Sequence, residues 1–205
     1  MKSMILMAAA LILAALLSVP AQAQIIDTRS DVIGFFLDPV GNVPGACVPY
    51  QNYSAYLMIT RPSDDSGLTA YQCTFIIPPV VQSLGYQPAG GIIIQDTFPR
   101  LDIFYSTPLP WANEVYILGN WNFFLLTHES DWVLLADHFT SEWYSAAYRT
   151  VASAGARIPV SPPDWANGMI SGPPLTEVVF WLNEACGYVV DDETVSWGGV
   201  KGLFR

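Results

Sequence analysis

Short apolar runs separated by Pro, Gly, Asn and Asp follow one another along most of the chain, a pattern typical of a protein built from β-strands. A run that is apolar on both faces, residues 114–126, is expected to be a central strand. Turn signals at roughly eight- to twelve-residue spacing predict an all-β fold, an antiparallel two-sheet sandwich of the Ig-like class. The predicted strands cover residues 32–38, 50–60, 68–77, 92–94, 101–105, 114–126, 178–182 and 188–190.

Proline and glycine set the boundaries of several of these runs. Pro78 and Pro79 are expected to end the strand that begins at Leu68, and Pro108 and Pro110 are expected to close the one at residues 101–105. The two residues after Pro79 show no alternation, and no strand is assigned between Pro79 and Gly90. Residues 159–174 carry five prolines and are expected to be rich in loops.

Residues 130–153 have two interpretations. Ser130 is a suitable N-cap for a helix, and seven apolar residues after it recur at helical spacing. Stiff or bulky residues in the same stretch, such as Thr140, Tyr144 and Val151, favour strands joined by a loop. One short helix within residues 130–153 and a pair of strands remain open alternatives. The apolar residues at helical spacing are Trp132, Leu135, Ala136, Phe139, Trp143, Ala146 and Ala147.

The first 23 residues have the organisation of a secretory signal peptide. Lys2 precedes an apolar run over residues 4–17, and Ala21-Gln22-Ala23 forms a small-x-small cleavage site. The run is shorter than the roughly 20 residues that a transmembrane helix needs, and no cysteine for a lipid anchor follows Ala23. We expect cleavage after Ala23 and a secreted, periplasmic or cell-surface protein without a membrane span. The mature chain, residues 24–205, is expected to be one β-sandwich domain with a C-terminal tail at 194–205.

The mature chain is acidic. Loss of Lys2 leaves seven basic against eighteen acidic residues, a net charge of −11. Nucleic acids and anionic membranes are bound mainly through Lys and Arg, so this balance argues against both as partners.

Three cysteines remain in a chain expected to meet an oxidising compartment. Cys73 alternates with Tyr71 and Phe75, which predicts a core position. Cys47 and Cys186 both lie in turn-like contexts, so a Cys47–Cys186 disulfide is the preferred pairing, although the sequence alone leaves all three pairings open.

No arrangement of residues in this chain matches a known catalytic or metal-binding motif. The densest group of metal-ligand residue types has neither HExxH nor CxxC spacing, no Gly-x-Ser-x-Gly motif is found, and no acidic pair is marked as catalytic. The acidic runs Asp64-Asp65 and 191–193 are interpreted as solvated turns rather than calcium loops. We therefore predict a non-enzymatic protein without a cofactor or metal. The ligand-type group comprises His128, Glu129, Asp131, Asp137 and His138.

Three segments resemble a family of uncharacterised secreted bacterial proteins. Residues 32–38 (VIGFFLD) match its isoleucine-glycine-aromatic opening, and residues 196–205 (SWGGVKGLFR) match its Trp-Gly-x-x-Lys-x-Leu-Tyr-Arg ending, with Phe204 in place of the usual Tyr. The strand-turn-strand part, residues 55–63 and 67–73, resembles more distantly the opening of cohesin-like sandwich domains. The resemblance implies a sandwich fold and an extracytoplasmic location, and implies no activity.

These observations predict an exported β-sandwich that binds an unknown protein or glycan, or that serves as a surface or envelope assembly module. The alternative is a glycan-binding or glycan-active protein that uses exposed tryptophans. A further hypothesis assigns partner docking to the C-terminal tail through Trp197, Lys201, Phe204 and Arg205. The tryptophans considered for the alternative are Trp111, Trp121, Trp132, Trp143 and Trp165.

Overall fold

The computed structural model describes residues 29–94, 98–136, 146–163 and 178–183, and all elements in these ranges are β-strands. No helix capable of crossing a membrane is found among these residues. The strands, in chain order, are β1 (Val32–Phe36), β2 (Gly45–Ala46), β3 (Asn52–Thr60), β4 (Leu68–Ile76), β5 (Val81–Pro88), β6 (Ile92–Ile94), β7 (Arg100–Leu109), β8 (Val115–Leu125), β9 (Asp131–Ala136), β10 (Ala147–Thr150), β11 (Ile158–Pro159) and β12 (Val178–Leu182).

Four strands form the first sheet, sheet A, in the order β1-β3-β8-β5, and all its pairings are antiparallel. Strand β8 lies between β3 and β5, so the central position predicted for residues 114–126 is confirmed. The edge at β1 is bordered by the chain near Ser161, whose backbone carbonyl accepts a hydrogen bond from the Ile33 N–H at 2.9 Å.

The remaining strands form sheet B around β4. Strand β7 pairs with one side of β4 and carries β6 beyond it, whereas β9 and β10 pair in succession with the other side. Ala136 pairs with Thr74 and Ala147 pairs with Gln72, so β9 and β10 continue a single line along β4 that residues 137–146 interrupt. Strand β12 pairs antiparallel with β9 and parallel with β2. The all-β sandwich predicted from the sequence is confirmed.

Side chains from both sheets meet in one hydrophobic core. Phe35 of sheet A packs against Phe75 of sheet B with ring centroids 4.8 Å apart, and Trp121 packs against Phe180 at 6.5 Å. Cys73 is fully buried in this core, as its alternation with Tyr71 and Phe75 predicts. Burial raises the pKa of the Cys73 thiol well above its ordinary value, which keeps this thiol protonated.

A bulge explains why β8 is apolar on both faces. Leu57 pairs with Gly119 while the next residue, Met58, pairs with Ile117, so Leu118 is an extra residue in β8. Before the bulge the even-numbered residues point into the core, and after it the odd-numbered ones do. On the outer side Val115 and Ile117 join a second, small apolar cluster with Met58.

Two strand assignments from the sequence are wrong. Strand β5 occupies residues for which no strand is predicted, because its outward side chains are polar and a bulge between Ser83 and Gly85 breaks its alternation. Strand β7 runs past Pro108 to Leu109, since the ladder to β4 is irregular there and needs no N–H from the proline.

The open question at residues 130–153 is answered where the structure describes it. Asp131–Ala136 and Ala147–Thr150 are strands, so the strand interpretation is confirmed at these positions and no helix covers them. Residues 137–145 lie outside the described residues, as do the signal segment 1–23, the predicted strand at 188–190 and the tail 194–205.

Candidate functional site

The outer side of sheet A presents an ordered set of side chains, three from each of three adjacent strands. Residues directly opposite one another in an antiparallel ladder lie on the same face. The register therefore gives three rows across β3, β8 and β5, and we call these nine positions the amide face. The rows are Asn52–Phe124–Gln82, Ser54–Asn122–Gly85 and Tyr56–Asn120–Gln87.

The amide face carries no charged residue although the chain has a net charge of −10. Five of its nine residues are Asn or Gln, and four of these amides, all but that of Asn120, are exposed. Two half-buried aromatic rings lie on this face, Tyr56 at one corner and Phe124 in the middle of the opposite row. With strands about 4.8 Å apart and residues about 3.4 Å apart, the face measures about 10 Å by 14 Å. It is a flat surface of uncharged hydrogen-bonding groups and aromatic edges.

Asn120 lies in the middle strand of this face and has an unusual side chain. Its Oδ1 atom is shielded from water and has no hydrogen-bond partner among the described residues. A shielded polar atom without a partner costs free energy of about 1–3 kcal/mol. The Oδ1 atom of Asn120, a residue that pairs with Tyr56 and Gln87, is therefore a hydrogen-bond acceptor without a donor among the described residues.

The inner side of the same strands holds the amide face rigid. The Trp121 indole N–H donates to Ser83 Oγ at 3.0 Å, which links β8 to β5 across the sheet. Tyr86 stacks on Phe98 with centroids 5.5 Å apart, and its hydroxyl lies 2.8 Å from that of Tyr71 in sheet B. Burial raises the pKa of Tyr86 and Tyr71 well above the ordinary value, so both hydroxyls stay protonated as donors.

An apolar cavity of about 290 Å³ lies next to the amide face on the same side of sheet A. The loop after β1 contributes Pro39 and Val40 to it, and the β7–β8 turn contributes Pro110 and Ala112. Its floor includes Ile117 of β8, the last outward residue before the bulge that precedes Asn120. The cavity and the amide face are thus continuous along β8.

The turn beside the cavity has a defined conformation. Ala112 and Val115 exchange two backbone hydrogen bonds, of 3.2 and 3.0 Å, around Asn113 and Glu114. Both of these residues have positive φ, 51° and 62°, which is the two-residue hairpin geometry that matches strand twist. The exposed Trp111 precedes this turn.

The outer side of sheet B differs in charge from that of sheet A. Two outward residues of β4 pair with charged residues of β7: Gln72 lies opposite Asp102, and Thr74 lies opposite Arg100. On the other side of β4, Arg149 of β10 lies opposite Ala70. The outer side of sheet B therefore carries charged side chains, and the amide face carries none.

The tryptophans considered as glycan-binding residues differ in their exposure to solvent where the structure describes them. Trp111 is 42% exposed, whereas Trp121 is fully buried in the core and cannot stack on a ligand, which corrects that expectation. Trp132 is half-buried and contacts Trp181 edge to face at 6.2 Å. Trp143 and Trp165 lie outside the described residues.

The structure does not assemble the group of metal-ligand residue types. Within the described ranges no cluster of three or more His, Cys, Asp or Glu side chains could hold a metal ion. The His128 ring contacts that of Tyr50 at 5.3 Å, and Asp131 Oδ1 accepts a hydrogen bond from the Trp132 N–H. Asp137 and His138 are not among the residues described.

In the acidic turn at Asp64 and Asp65, the carboxylate of Asp64 accepts hydrogen bonds that stabilise the turn. Asp64 accepts the backbone N–H of Ser66 at 2.9 Å and the Thr150 hydroxyl at 2.7 Å, which ties the β3–β4 turn to β10. Hydrogen bonds from Ser66, and then from Thr150, hold the pKa of Asp64 below its usual value. Asp64 is a turn-stabilising residue, and its oxygens are already used.

Cys47 directly follows β2 and is half-buried. Cys186 and the tail residues Trp197, Lys201, Phe204 and Arg205 lie outside the described residues, so the disulfide and the docking tail stay predictions.

Sequence reasoning missed the amide face because the face depends on register. In the chain, Gln87 is far from Asn120 and Asn122, and these two alternate with core residues. In addition, no strand was predicted at the position of β5. The one local signal is the polar pair Asn120 and Asn122 inside an otherwise apolar strand, since a polar residue in a central strand needs an outer side or a partner.

Comparison with known proteins adds a likeness in fold. No family model matches the chain, and no curated protein matches it. Among solved structures it is similar to the second type II cohesin module from the adaptor ScaA scaffoldin of Acetivibrio cellulolyticus. The TM-score is 0.45 with 16% identity, over 63% of this chain and 84% of that chain. The likeness assigns no ligand to this chain.

Proposed function

We propose that this protein is an exported, non-enzymatic binding module and that the amide face is its binding surface. The observation that carries the proposal is the set of exposed, uncharged amides placed side by side on a rigid antiparallel sheet. Amides supply both donors and acceptors. Because strand pairing fixes the backbone spacing of these residues, binding has to order only their side chains.

The chemistry of the face favours a neutral polysaccharide as the ligand. A sugar chain offers many hydroxyls, which donate and accept, and no charge. The exposed amides of Asn122, Gln82 and Gln87 match that requirement. The rings of Tyr56 and Phe124 offer apolar surface to the C–H side of a sugar. A strongly charged ligand would find no counter-charge on this face.

Export supports the same function. The signal segment predicted at residues 1–23 would deliver the domain to a compartment where cell-wall and extracellular polysaccharides occur. The acidic balance of the chain, with eighteen acidic against eight basic residues, disfavours nucleic acid and anionic lipid as ligands.

Affinity electrophoresis of the mature chain, residues 24–205, tests the proposal. The chain is run through gels that contain xylan, glucomannan, hydroxyethyl cellulose or, as a charged comparison, polygalacturonate. We expect retardation by at least one neutral polysaccharide, and at least about fivefold weaker binding by the double variant Asn122→Ala, Gln87→Ala, since each lost hydrogen bond is worth about 0.5–1.5 kcal/mol.

The matched control is Gln51→Ala. Gln51 is an exposed amide next to β3, but it lies opposite the core residue Leu125 and so faces away from the amide face. It should bind like the parent. If no neutral polysaccharide retards the chain, or if Gln51→Ala weakens binding as much as the double variant, the amide face is not the polysaccharide-binding surface.

A further inference from the structure

The apolar cavity at the end of the amide face offers contacts to a small apolar group, which the amides alone do not offer. Its lining is formed by Pro39, Val40, Pro110, Ala112, Val115 and Ile117, together with Leu109 and Asn113, and contains no charged residue. A volume of about 290 Å³ is at the small end of ligand sites and suits one small group rather than a whole ligand.

The cavity opens toward solvent at its rim. Pro39, Pro110 and Ala112 are exposed, while Val115 at the base is 3% exposed. Val115 at the base belongs to the outer apolar cluster with Phe36 and Met58, and Leu109 joins the lining to the main core. A group that enters the cavity therefore stays at the surface of sheet A, level with the amide face.

Because the cavity and the amide face are continuous along β8, a group in the cavity is expected to belong to the ligand that lies on the amide face. Ile117 in the floor and Asn120 in the amide face are separated only by the bulge at Leu118 and Gly119. A polymer lying along β8 with its hydroxyls on Asn120 and Asn122 would bring a side substituent to the cavity. Because the lining is apolar, that substituent must itself carry an apolar end.

We infer that the cavity is a subsite for the acyl substituents of the polysaccharide, so that the preferred ligand is an acetylated neutral glycan. This inference rests on the proposed function. The acetyl methyl would pack on Val40 and Ile117, and the acetyl oxygen would remain near the polar rim at Asn113. O-acetyl and N-acetyl groups share this chemistry.

Matched ligands separate the inference from the proposed function. Acetylated xylan is compared with the same xylan after mild alkaline deacetylation, and chito-oligosaccharides are compared with cello-oligosaccharides of equal length. We expect at least one acetylated member to bind about fourfold more tightly per seated methyl. The first pair reports O-acetyl groups and the second reports N-acetyl groups.

A cavity-filling variant gives the second readout. Ala112→Leu places a larger side chain in the rim, at an exposed position that leaves the core unchanged. It should abolish the preference for the acetylated ligand and leave binding of the unacetylated one unchanged. Ala156→Leu, at an exposed turn after β10, is the matched control and should keep the preference.

The outcomes are distinct. Equal binding of both members of each pair, or a preference that survives Ala112→Leu, overturns the acyl subsite while the amide face stands. Absence of binding to every neutral glycan overturns the proposed function and the subsite with it. Thermal unfolding of Ala112→Leu at the parent temperature confirms that a lost preference is not a folding defect.

Discussion

Gly119 is required by the contact between β8 and β5. A Cβ atom at this position would lie 2.4 Å from the Tyr86 hydroxyl and 2.5 Å from the backbone oxygen of Gln87. The hydroxyl can move with its side chain, but the backbone oxygen is held by the pairing of the two strands. The absence of a side chain at residue 119 therefore lets Tyr86 enter the core and lets β5 approach β8.

Gly119→Ala should lower the free energy of unfolding by about 1–3 kcal/mol, the cost of overpacking. Urea unfolding measures this, with Asn122→Ala on the outer side of the same strand as a control expected within about 0.5 kcal/mol of the parent. Adding Tyr86→Phe removes only the hydroxyl contact and should not rescue the variant, since the contacts with the ring carbon Cζ of residue 86 at 2.6 Å and with the Gln87 oxygen remain. Full rescue, or parent stability in Gly119→Ala, would contradict this account.

Asp64 makes part of the stability depend on pH. Hydrogen bonds from Ser66 and Thr150 hold its pKa in the folded state below the value of about 4 in the unfolded chain. A lowered pKa stabilises the fold above the unfolded value, and this contribution is lost as the pH falls through the lower folded value. The stability difference between the parent and Asp64→Asn should therefore be larger at pH 6 than at pH 3.

Urea unfolding of both proteins at the two pH values measures that difference. Thr150→Val removes one donor to Asp64 and should reduce the pH-dependent part. Asp65→Asn, an exposed neighbour in the same turn, controls for the loss of one negative charge. A pH dependence that is the same for Asp64→Asn and Asp65→Asn would show that the hydrogen bonds at Asp64 have no special role.

At the scale of elements, the pairing of β2 with β12 supports the predicted disulfide. Leu182 pairs with Ala46, and the Asn183 N–H donates to the Ala46 carbonyl at 2.8 Å. Cys47 follows Ala46 directly, and Cys186 is three residues after Asn183 in the sequence. A span of three residues is at most about 10 Å, so the chain length after Asn183 is compatible with the predicted disulfide.

We predict that the exported protein contains a Cys47–Cys186 disulfide and a reduced Cys73. Thiol titration of the denatured, unreduced protein should find one thiol, and peptide mapping should find Cys47 linked to Cys186. Cys47→Ser should expose a second thiol and cost about 2–5 kcal/mol of stability. Three titratable thiols, or a link that includes the buried Cys73, would refute the pairing.

Several elements could be predicted from the sequence because their side chains alternate between core and solvent. Strands β3 and β4 alternate between core and outer residues over part of their length, so a period of two is visible there, whereas β1 and β8 are visible as continuous apolar runs bounded by turn signals. Strand β5 buries little apart from Val81 and Tyr86, and its bulge shifts the alternation, so its sequence is that of a loop. Residues 131–150 show both periods, and only their pairing with β4 decides for strands.

At the scale of the whole molecule, the amide face could not be derived from the sequence. Its three rows join residues that are up to 72 positions apart, Asn52 and Phe124 among them. Only the register of β3, β8 and β5 brings them together. The same register separates the uncharged outer side of sheet A from the charged outer side of sheet B.

The central claim is that the amide face binds a neutral polysaccharide, and side-chain amide resonances report on it directly. An NMR titration with an unsubstituted oligosaccharide, taken from the polysaccharide that retards the chain most, should shift the side-chain NH₂ signals of Asn120, Asn122 and Gln87. Those of Gln51 and Asn183, which lie away from the face, should stay in place. Saturable shifts at Gln51 or Asn183 with none at the three amide-face residues would contradict the claim.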